Sequence, residues 1–270
     1  MGGVEAEENM VHIKLHRWLL ALLMSLATGF AHCAETDGRD IPVLVYHRFG
    51  PTVADSMTVK TADFASQLEY LKSNGYTVIP LRSLIAYMSG DAPPPPERSV
   101  VITADDGHES VFTEMYPLIS RYRVPVTLFI YPSAISNANY ALTWQQLRQM
   151  QDGGLVDIQS HTYWHPNFKK EKKRLNPSDY QKFVRMQLLK SKQVLEQKTG
   201  KPVDMLAWPF GIFDEELMNM ARDAGYRAAF TLERRSAVRS DNPMAIPRYL
   251  MVDQVRINRL LGANMKGKTP

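Results

Sequence analysis

Two short motifs carry side chains that bind hard metal ions. Asp105 and Asp106 follow one apolar run of the sequence, and His161 and His165 follow another run far along the chain. One carboxylate and two imidazoles can hold a divalent metal and leave coordination positions open for water. The second carboxylate is then available as a base. Together the motifs predict metal-assisted hydrolysis.

The local sequence indicates how each motif reaches a common site. Neighbouring residues on a regular strand point to opposite faces, so we expect a turn at Gly107 to bring both carboxylates into one pocket. A bound cation would relieve their mutual repulsion. The spacing of His161 and His165 suits one face of a helix, but Pro166 favours extended backbone before it, so we expect them to converge through a loop. The alternatives are a polar turn and two structural histidines.

Other candidate residues also lie at the ends of apolar runs. His47 can protonate a leaving group if a carboxylate holds it as imidazolium, or it is a structural histidine at a strand end. Pro209 and Phe210 form an aromatic turn that can wall a sugar site and present the Phe210 N–H to an oxyanion. Tyr131 ends a further run, and Trp164 is a candidate for stacking on a sugar ring.

The elements that must position these residues alternate between strands and helices. Helix starts are predicted near Thr61, Thr143, Asn176 and Asp214, where capping residues precede apolar-periodic segments. The predicted strands are 42–47, 76–80, 99–104, 125–131, 156–160, 204–208, 227–232 and 245–250.

This alternation predicts an α/β fold, a distorted and incomplete (β/α) barrel in a single domain. The alternative is an open doubly wound sheet, which is disfavoured because no glycine-rich phosphate-binding fingerprint follows any strand. In a barrel, active residues belong at the carboxyl ends of strands, where the candidates described above lie.

Composition sets the class of protein. The chain has 270 residues, of which 44% are hydrophobic, and this is enough for one sizeable core. Its formal net charge is +4, and nothing resembles a nucleic-acid-binding module. Positive charge concentrates in segment 169–174, which begins with Lys169 and ends with Arg174. We interpret it as a solvated loop, with contact to an anionic envelope surface as the alternative.

The first 33 residues are typical of a cleavable signal peptide. The acidic residues before Met10 do not suit the basic start of such a peptide, so Met10 is a candidate for the true first residue. A basic start precedes an apolar run too short to span a bilayer comfortably. Export to the periplasm or the extracellular space is therefore expected, and an uncleaved membrane anchor is the alternative. Cys33, the single cysteine, would leave with this segment.

From residue 41 to residue 251 the chain resembles the polysaccharide deacetylases, the family four carbohydrate esterases with a NodB-type domain; residues 252–270 would form a C-terminal tail. The segment T-A-D-D-G, which ends at Gly107, matches the family's T-F-D-D-G with Ala104 in place of Phe. The segment H-T-Y-W-H, from His161 to His165, matches H-[S/T]-x-x-H.

The resemblance implies removal of N-acetyl or O-acetyl groups from a polysaccharide. It assigns Asp105 as the general base and Asp106, His161 and His165 as ligands of zinc, or of cobalt or nickel. The metal would polarise the acetyl carbonyl and bind the attacking water, and the Phe210 N–H would help to stabilise the oxyanion.

Two departures from the family pattern matter. Ala207 stands where an arginine usually orients the base, and Arg248 is a candidate replacement from another strand. The late leucine-x-histidine motif is missing, and His47 is the candidate for its role. An early Tyr-His resembles the biofilm deacetylases of poly-β-1,6-N-acetylglucosamine.

Peptidoglycan and chitin-like polymers are the other candidate substrates. An O-acetyl esterase and a non-catalytic glycan-binding protein are the alternative functions. The polysaccharide is the predicted partner, and no protein partner is indicated.

Overall fold

The computed structural model describes residues 38–252 and 256–266. The strands of this part of the chain are β1 (Val43–Tyr46), β2 (Arg48–Gly50), β3 (Thr58–Lys60), β4 (Thr77–Val78), β5 (Ser99–Asp106), β6 (Val126–Ile130), β7 (Val156–Ser160), β8 (Met205–Ala207), β9 (Ala228–Phe230) and β10 (Tyr249–Leu250). The α-helices are α1 (Thr61–Ser73), α2 (Leu81–Ser89), α3 (Tyr116–Tyr122), α4 (Trp144–Asp152), α5 (Phe168–Arg174), α6 (Pro177–Thr199), α7 (Glu215–Asp223) and α8 (Arg256–Lys266). A π-helical turn (Val111–Met115) precedes α3, and a 3₁₀ turn (Pro209–Gly211) follows β8.

Eight of the strands form one parallel sheet that curls into a half-barrel. Its order is β10-β1-β5-β6-β7-β8-β9, and β4 pairs with β5. Beyond β9, the Ile246 N–H donates to the carbonyl of Ala229, and the Met251 N–H donates to the carbonyl of Val45 in β1. One short segment thus bridges the two edges of the sheet. The distorted, incomplete barrel is confirmed, and the open doubly wound sheet is wrong.

Every predicted strand is present in the sheet. The short parallel pair of β2 and β3 was not predicted, because three-residue strands carry too little periodicity to detect. Because the paired strands of the main sheet are all parallel, their carboxyl ends meet at one edge.

The sheet is buried on both faces, which explains its continuous apolar strands. On β5, Val100 and Ile102 pack in the larger cluster with the surrounding helices, whereas Val101 packs in the smaller cluster with Phe129 and Phe230. Alternation along the strand places Thr103 and Asp105 on the same face as Val101. The sequence thereby fixes which carboxylate enters the barrel interior.

Side-chain caps explain where four of the eight described α-helices begin. Thr143 accepts a hydrogen bond from the Gln146 N–H and completes a capping box, and Asn176 and Asp214 cap α6 and α7 as predicted. Thr61 is not a cap, since α1 begins at Thr61 itself and its hydroxyl donates to Glu114 instead.

Two segments differ from the simplest expectation. The basic segment 169–174 is helical rather than a loop, because Asn167 caps α5 and Phe168 anchors it in the core. The predicted tail contains α8, whose Ile257 and Leu261 are buried in the larger cluster. The predicted signal peptide lies outside the described residues. Among the described residues, we find no helix with the length and apolar character needed to cross a membrane.

Candidate functional site

The turn after β5 directs the two aspartates into one site. Asp106 and Gly107 both have left-handed backbone, with φ of 74° and 78°. This breaks the strand alternation that would send Asp106 towards the helices. Asp106 Oδ1 instead lies 3.5 Å from His161 Nε2, and Asp105 Oδ2 lies 3.8 Å from the same nitrogen. Both carboxylates therefore face His161, as expected from the turn predicted at Gly107.

Hydrogen bonding at His161 leaves one ring nitrogen directed at the carboxylates. Its side chain is 2% exposed, and Nδ1 lies 2.7 Å from the carbonyl oxygen of Ala207. A carbonyl only accepts, so Nδ1 carries the proton and Nε2 carries a free lone pair. Such a carbonyl behind a histidine is the usual way in which proteins orient a metal ligand.

His165 reaches the site through a strained loop, as Pro166 indicated. Thr162 and His165 have φ of 65° and 60°, and the His165 N–H donates to Thr162 Oγ1 at 3.2 Å. The buried Gln187 of α6 accepts hydrogen bonds from the N–H groups of Tyr163 and Trp164. These bonds hold His165 Nε2 at 3.7 Å from Asp106 Oδ1.

Asp106, His161 and His165 can hold a metal ion. Each offers one ligand atom, and these atoms lie within 4.8 Å of one another. Asp106 Oδ1 is buried, and no hydrogen-bond partner for it exists among the described residues. A buried carboxylate oxygen without a partner is costly, whereas a cation between it and two neutral imidazoles would satisfy all three ligands. The donor set therefore fits a divalent ion such as zinc.

Asp105 is bound by Arg248, the residue suggested as the replacement for the missing motif arginine. Arg248 Nη1 donates to Asp105 Oδ1 at 2.8 Å and Nη2 donates to Oδ2 at 2.7 Å. Arg248 also donates to Thr103 Oγ1 and to the Thr231 carbonyl, and its side chain is fully buried. The two residues form a bidentate ion pair inside the barrel.

Electrostatics separate the two aspartates. Burial alone would raise the pKa of Asp105, but the charge of Arg248 and the nearby His161 outweigh it and lower that pKa to about 2. For Asp106, burial dominates and raises the pKa; His47 opposes that shift, and Asp105 adds to it. Burial also lowers the pKa of His161 to about 3 and lowers that of His165. Both histidines are consequently neutral near pH 7, as metal ligands must be.

His47 lies between β1 and β2, on the same side of the sheet as the aspartates. Its charge acts on the pKa of both Asp105 and Asp106. Its Nδ1 is buried, and the described part of the chain offers that atom no hydrogen-bond partner. His47 thus lies close enough to the two carboxylates to influence their pKa values, and its role as the acid remains a prediction.

Aromatic side chains surround the three candidate ligands. The rings of Phe210 and Tyr131 lie 4.5 Å and 5.5 Å from the His165 ring. Phe210 is 56% exposed, and its φ of 58° turns it away from the core. Trp164 is also exposed, whereas Pro209 is buried and shapes the turn. Their roles in substrate binding remain predictions.

Two residues near the site were missed in the sequence. Gln187 could have been noticed in the sequence as a polar residue on the apolar face of a long helix. Nothing in the sequence marked Tyr140, because its position depends on a loop that packs against the turn after β5.

The basic segment lies on α5, where Lys172 pairs with Asp214 and Glu216.

Comparison with known proteins identifies the family. The polysaccharide deacetylase family model matches residues 92–229, which is half of the chain. The poly-β-1,6-N-acetyl-D-glucosamine N-deacetylase of Staphylococcus aureus strain MRSA252 is 26% identical over 200 residues, which cover 73% of this chain and 68% of that protein.

Solved structures share the fold. The Streptococcus pyogenes deacetylase PplD in complex with acetate has a TM-score of 0.73 at 19% identity, covering 86% of this chain and 99% of that one. IcaB from Ammonifex degensii has a TM-score of 0.73 at 23% identity, covering 83% and 97%. The family match and these shared architectures lead to one conclusion: the chain belongs to the polysaccharide deacetylase family.

Proposed function

We propose that this protein is a divalent-metal-dependent N-deacetylase acting on a β-1,6-linked N-acetylglucosamine polymer. The observation that carries the proposal is the convergence of Asp106, His161 and His165 beside a second carboxylate, Asp105, that an arginine holds ionised. A ligand set and a separate base are the two requirements of metal-assisted amide hydrolysis.

The metal ligands are Asp106 Oδ1 and the Nε2 atoms of His161 and His165. A bound divalent cation would supply Lewis-acid polarisation of the acetyl carbonyl and would acidify the attacking water. Zinc suits one carboxylate and two imidazoles, and cobalt and nickel accept the same donors. The carbonyl behind His161 and the Thr162 hydroxyl behind the His165 backbone fix the positions of both rings.

Asp105 is the proposed general base. Each of its oxygens accepts one hydrogen bond from Arg248, and each retains a lone pair for a water proton. Its low pKa keeps it ionised at neutral pH, and the bidentate contact prevents rotation of the carboxylate. Asp105 takes one proton as the water oxygen bonds to the acetyl carbon.

His47 is the proposed general acid. After the water oxygen has added, the C–N bond breaks and the leaving nitrogen needs a proton. A protonated His47 next to two carboxylates can give that proton to the nitrogen. Acetate and a glucosamine unit are then the products, and the Phe210 N–H is the proposed backbone donor to the oxyanion.

The choice of polymer is supported by the names of the relatives, several of which are poly-β-1,6-N-acetyl-D-glucosamine N-deacetylases. We place the deacetylase domain at residues 41–251. Export to the periplasm or cell exterior follows from the leader-like start of the sequence and is part of the proposal.

The test is acetate release from β-1,6- and β-1,4-linked N-acetylglucosamine oligomers, with zinc, cobalt or nickel and with a chelator. We expect chelator-sensitive release with preference for the β-1,6 linkage. The variants D105N and H161A should remain folded, and D105N should lower kcat by about 10²- to 10⁴-fold. Release that survives either substitution would contradict the assignment. Release from O-acetylated glycans alone would make the protein an esterase.

A further inference from the structure

The segment that carries His47 is joined at two points to the segment that carries the two aspartates. Before His47, Tyr46 of β1 pairs with Ala104 of β5. After His47, the Phe49 N–H donates to Ser110 Oγ at 2.9 Å, across 61 positions of the sequence. The two contacts therefore bracket His47 on one segment and both aspartates on the other.

The hydrogen bonds of Ser110 leave its hydroxyl in one orientation. The Ser110 N–H donates to His108 Nδ1 at 3.2 Å, so this nitrogen accepts and carries no proton. Ser110 Oγ lies 2.8 Å from the same nitrogen and already accepts from Phe49, so its O–H donates to His108. Because Ser110 is only 5% exposed, water competes little for either bond.

Both sides of the contact between Phe49 and Ser110 are rigid. Phe49 is 4% exposed, and its ring lies 5.0 Å from that of Phe64 in the core. Ser110 directly precedes the π-helical turn (Val111–Met115). Single π-helical turns are rare and occur frequently at functional sites. The start of this turn thus fixes where the segment after His47 lies.

The side chain of His47 depends on this backbone contact. Its Nδ1 is buried, and no hydrogen-bond partner for it exists among the residues that the structure describes. A histidine that gives up a proton must lie within hydrogen-bond reach of the atom that receives it. Since no hydrogen bond at Nδ1 orients the ring, the backbone on either side of His47 has to determine where the ring lies.

We infer that Ser110 is a positioning residue that holds His47 beside the two aspartates. Its hydroxyl oxygen acts through the Phe49 N–H, and His108 keeps that oxygen turned towards Phe49. The inference rests on the proposed function, in which a protonated His47 gives its proton to the leaving nitrogen. It adds a residue outside the two metal-binding motifs on which this proton delivery depends.

The test compares two acetyl substrates whose leaving groups differ in their need for a proton. An N-acetylglucosamine unit leaves as an amine, which must be protonated as the C–N bond breaks, whereas para-nitrophenyl acetate releases a stable phenolate. We expect S110A to lower kcat for a β-1,6-linked pentamer of N-acetylglucosamine about 10- to 100-fold, with KM within about 2-fold. Its rate on the ester should stay within about 2-fold of the wild type, because that leaving group needs no acid.

Two controls separate positioning from a general loss of structure. S110T retains the hydroxyl and should recover most of the activity on the pentamer. S99A removes another buried serine hydroxyl, which donates to the Pro96 carbonyl at the start of β5, and should match the wild type. Zinc affinity, measured by chelator competition, should be the same in all variants. If S110A does not fold, S110C provides the same comparison, because a thiol is only a weak acceptor.

Three results would overturn the inference. An equal loss on the pentamer and on the ester would show that Ser110 acts on the metal ligands or the base rather than on His47. Wild-type kinetics of S110A on the pentamer is the second. If the wild type releases no acetate from any glycan, the proposed function fails, and NMR of the histidine ring nitrogens tests the positioning alone. Ring signals of His47 that are identical in S110A and the wild type are then the third, whereas a shift supports the inference.

Discussion

Replacing Arg248 with methionine tests whether the ion pair with Asp105 maintains both the fold and the activity. Methionine retains an apolar chain of comparable length between Phe129 and Phe230, whose rings lie 5.3 Å and 5.9 Å from the guanidinium carbon. It removes the charge and all four hydrogen bonds to Asp105, Thr103 and Thr231.

The magnitude follows from burial. Arg248 is 0% exposed and Asp105 is 2% exposed, so the carboxylate left behind cannot reach water. Removing one partner of a buried ion pair costs about 3–5 kcal/mol. The pKa of Asp105 should also rise, because burial is the largest influence on it and Arg248 is the main opposing one. A base that is partly protonated at neutral pH must lower kcat, and the rate should recover as the pH is raised.

The assay is urea-induced unfolding of wild type, R248M, D105N and the double variant, together with the pH profile of acetate release. In the double variant the uncompensated charge is gone, so we expect a coupling energy of about 2 kcal/mol or more. The control is R174A, because Arg174 pairs with Glu171 while 66% exposed, and such pairs contribute less than about 1 kcal/mol.

Two outcomes would refute this reasoning. A coupling energy near zero would show that the contact of Arg248 with Asp105 contributes nothing to stability. A pH profile of R248M that matches the wild type would show that Arg248 does not set the pKa of the base.

Three further predictions concern the same site. G107A should destabilise the protein by about 1–2 kcal/mol and reduce acetate release, because a Cβ at position 107 would lie 2.9 Å from Ile130 Cδ1 and the backbone φ there is 78°. Urea unfolding measures the loss of stability, and an unchanged midpoint would contradict the prediction. D106N should weaken zinc binding by more than the roughly 100-fold cost of losing an outer-shell partner, as measured by chelator competition, and wild-type affinity would exclude Asp106 as a ligand. The pKa of His161 in the folded protein is about 3, which is below its value in the unfolded chain, so the stability of the metal-free protein should fall as the pH drops from about 6.5 to 3. Urea unfolding at several pH values should show a smaller loss of stability in H161Q than in the wild type. An equal loss in both proteins would contradict the lowered pKa of His161.

Much of the fold is encoded by local patterns. Continuous apolar runs identify buried parallel strands. Side-chain caps mark the starts of three helices, at Thr143, Asn176 and Asp214. The two candidate metal-binding motifs could be recognised in the sequence because each lies at the end of such a run. The turn at Gly107 followed from the conflict between strand alternation and two adjacent carboxylates that face one site.

Other features depend on contacts between distant residues. Tyr140 reaches the site only because its loop pairs with the turn after β5, and no periodicity records that pairing. Gln187 supports the histidine loop from a helix more than 20 residues away. The basic segment is a helix because Phe168 anchors it, although its charge pattern alone suggested a solvated loop.

Arg248 binds Asp105 although the usual motif position, 207, holds an alanine. Position 207 lacks the arginine that the family motif usually supplies, and its backbone carbonyl serves His161 instead. Its small side chain packs in the interior cluster with Phe230, and the ring of Phe230 also contacts Arg248 from the segment that bridges the sheet edges. Asp105 thus has a bidentate cation that arrives from a different strand. The missing arginine was the reason to consider a non-catalytic glycan-binding protein, and that reason does not hold once Arg248 occupies the barrel interior.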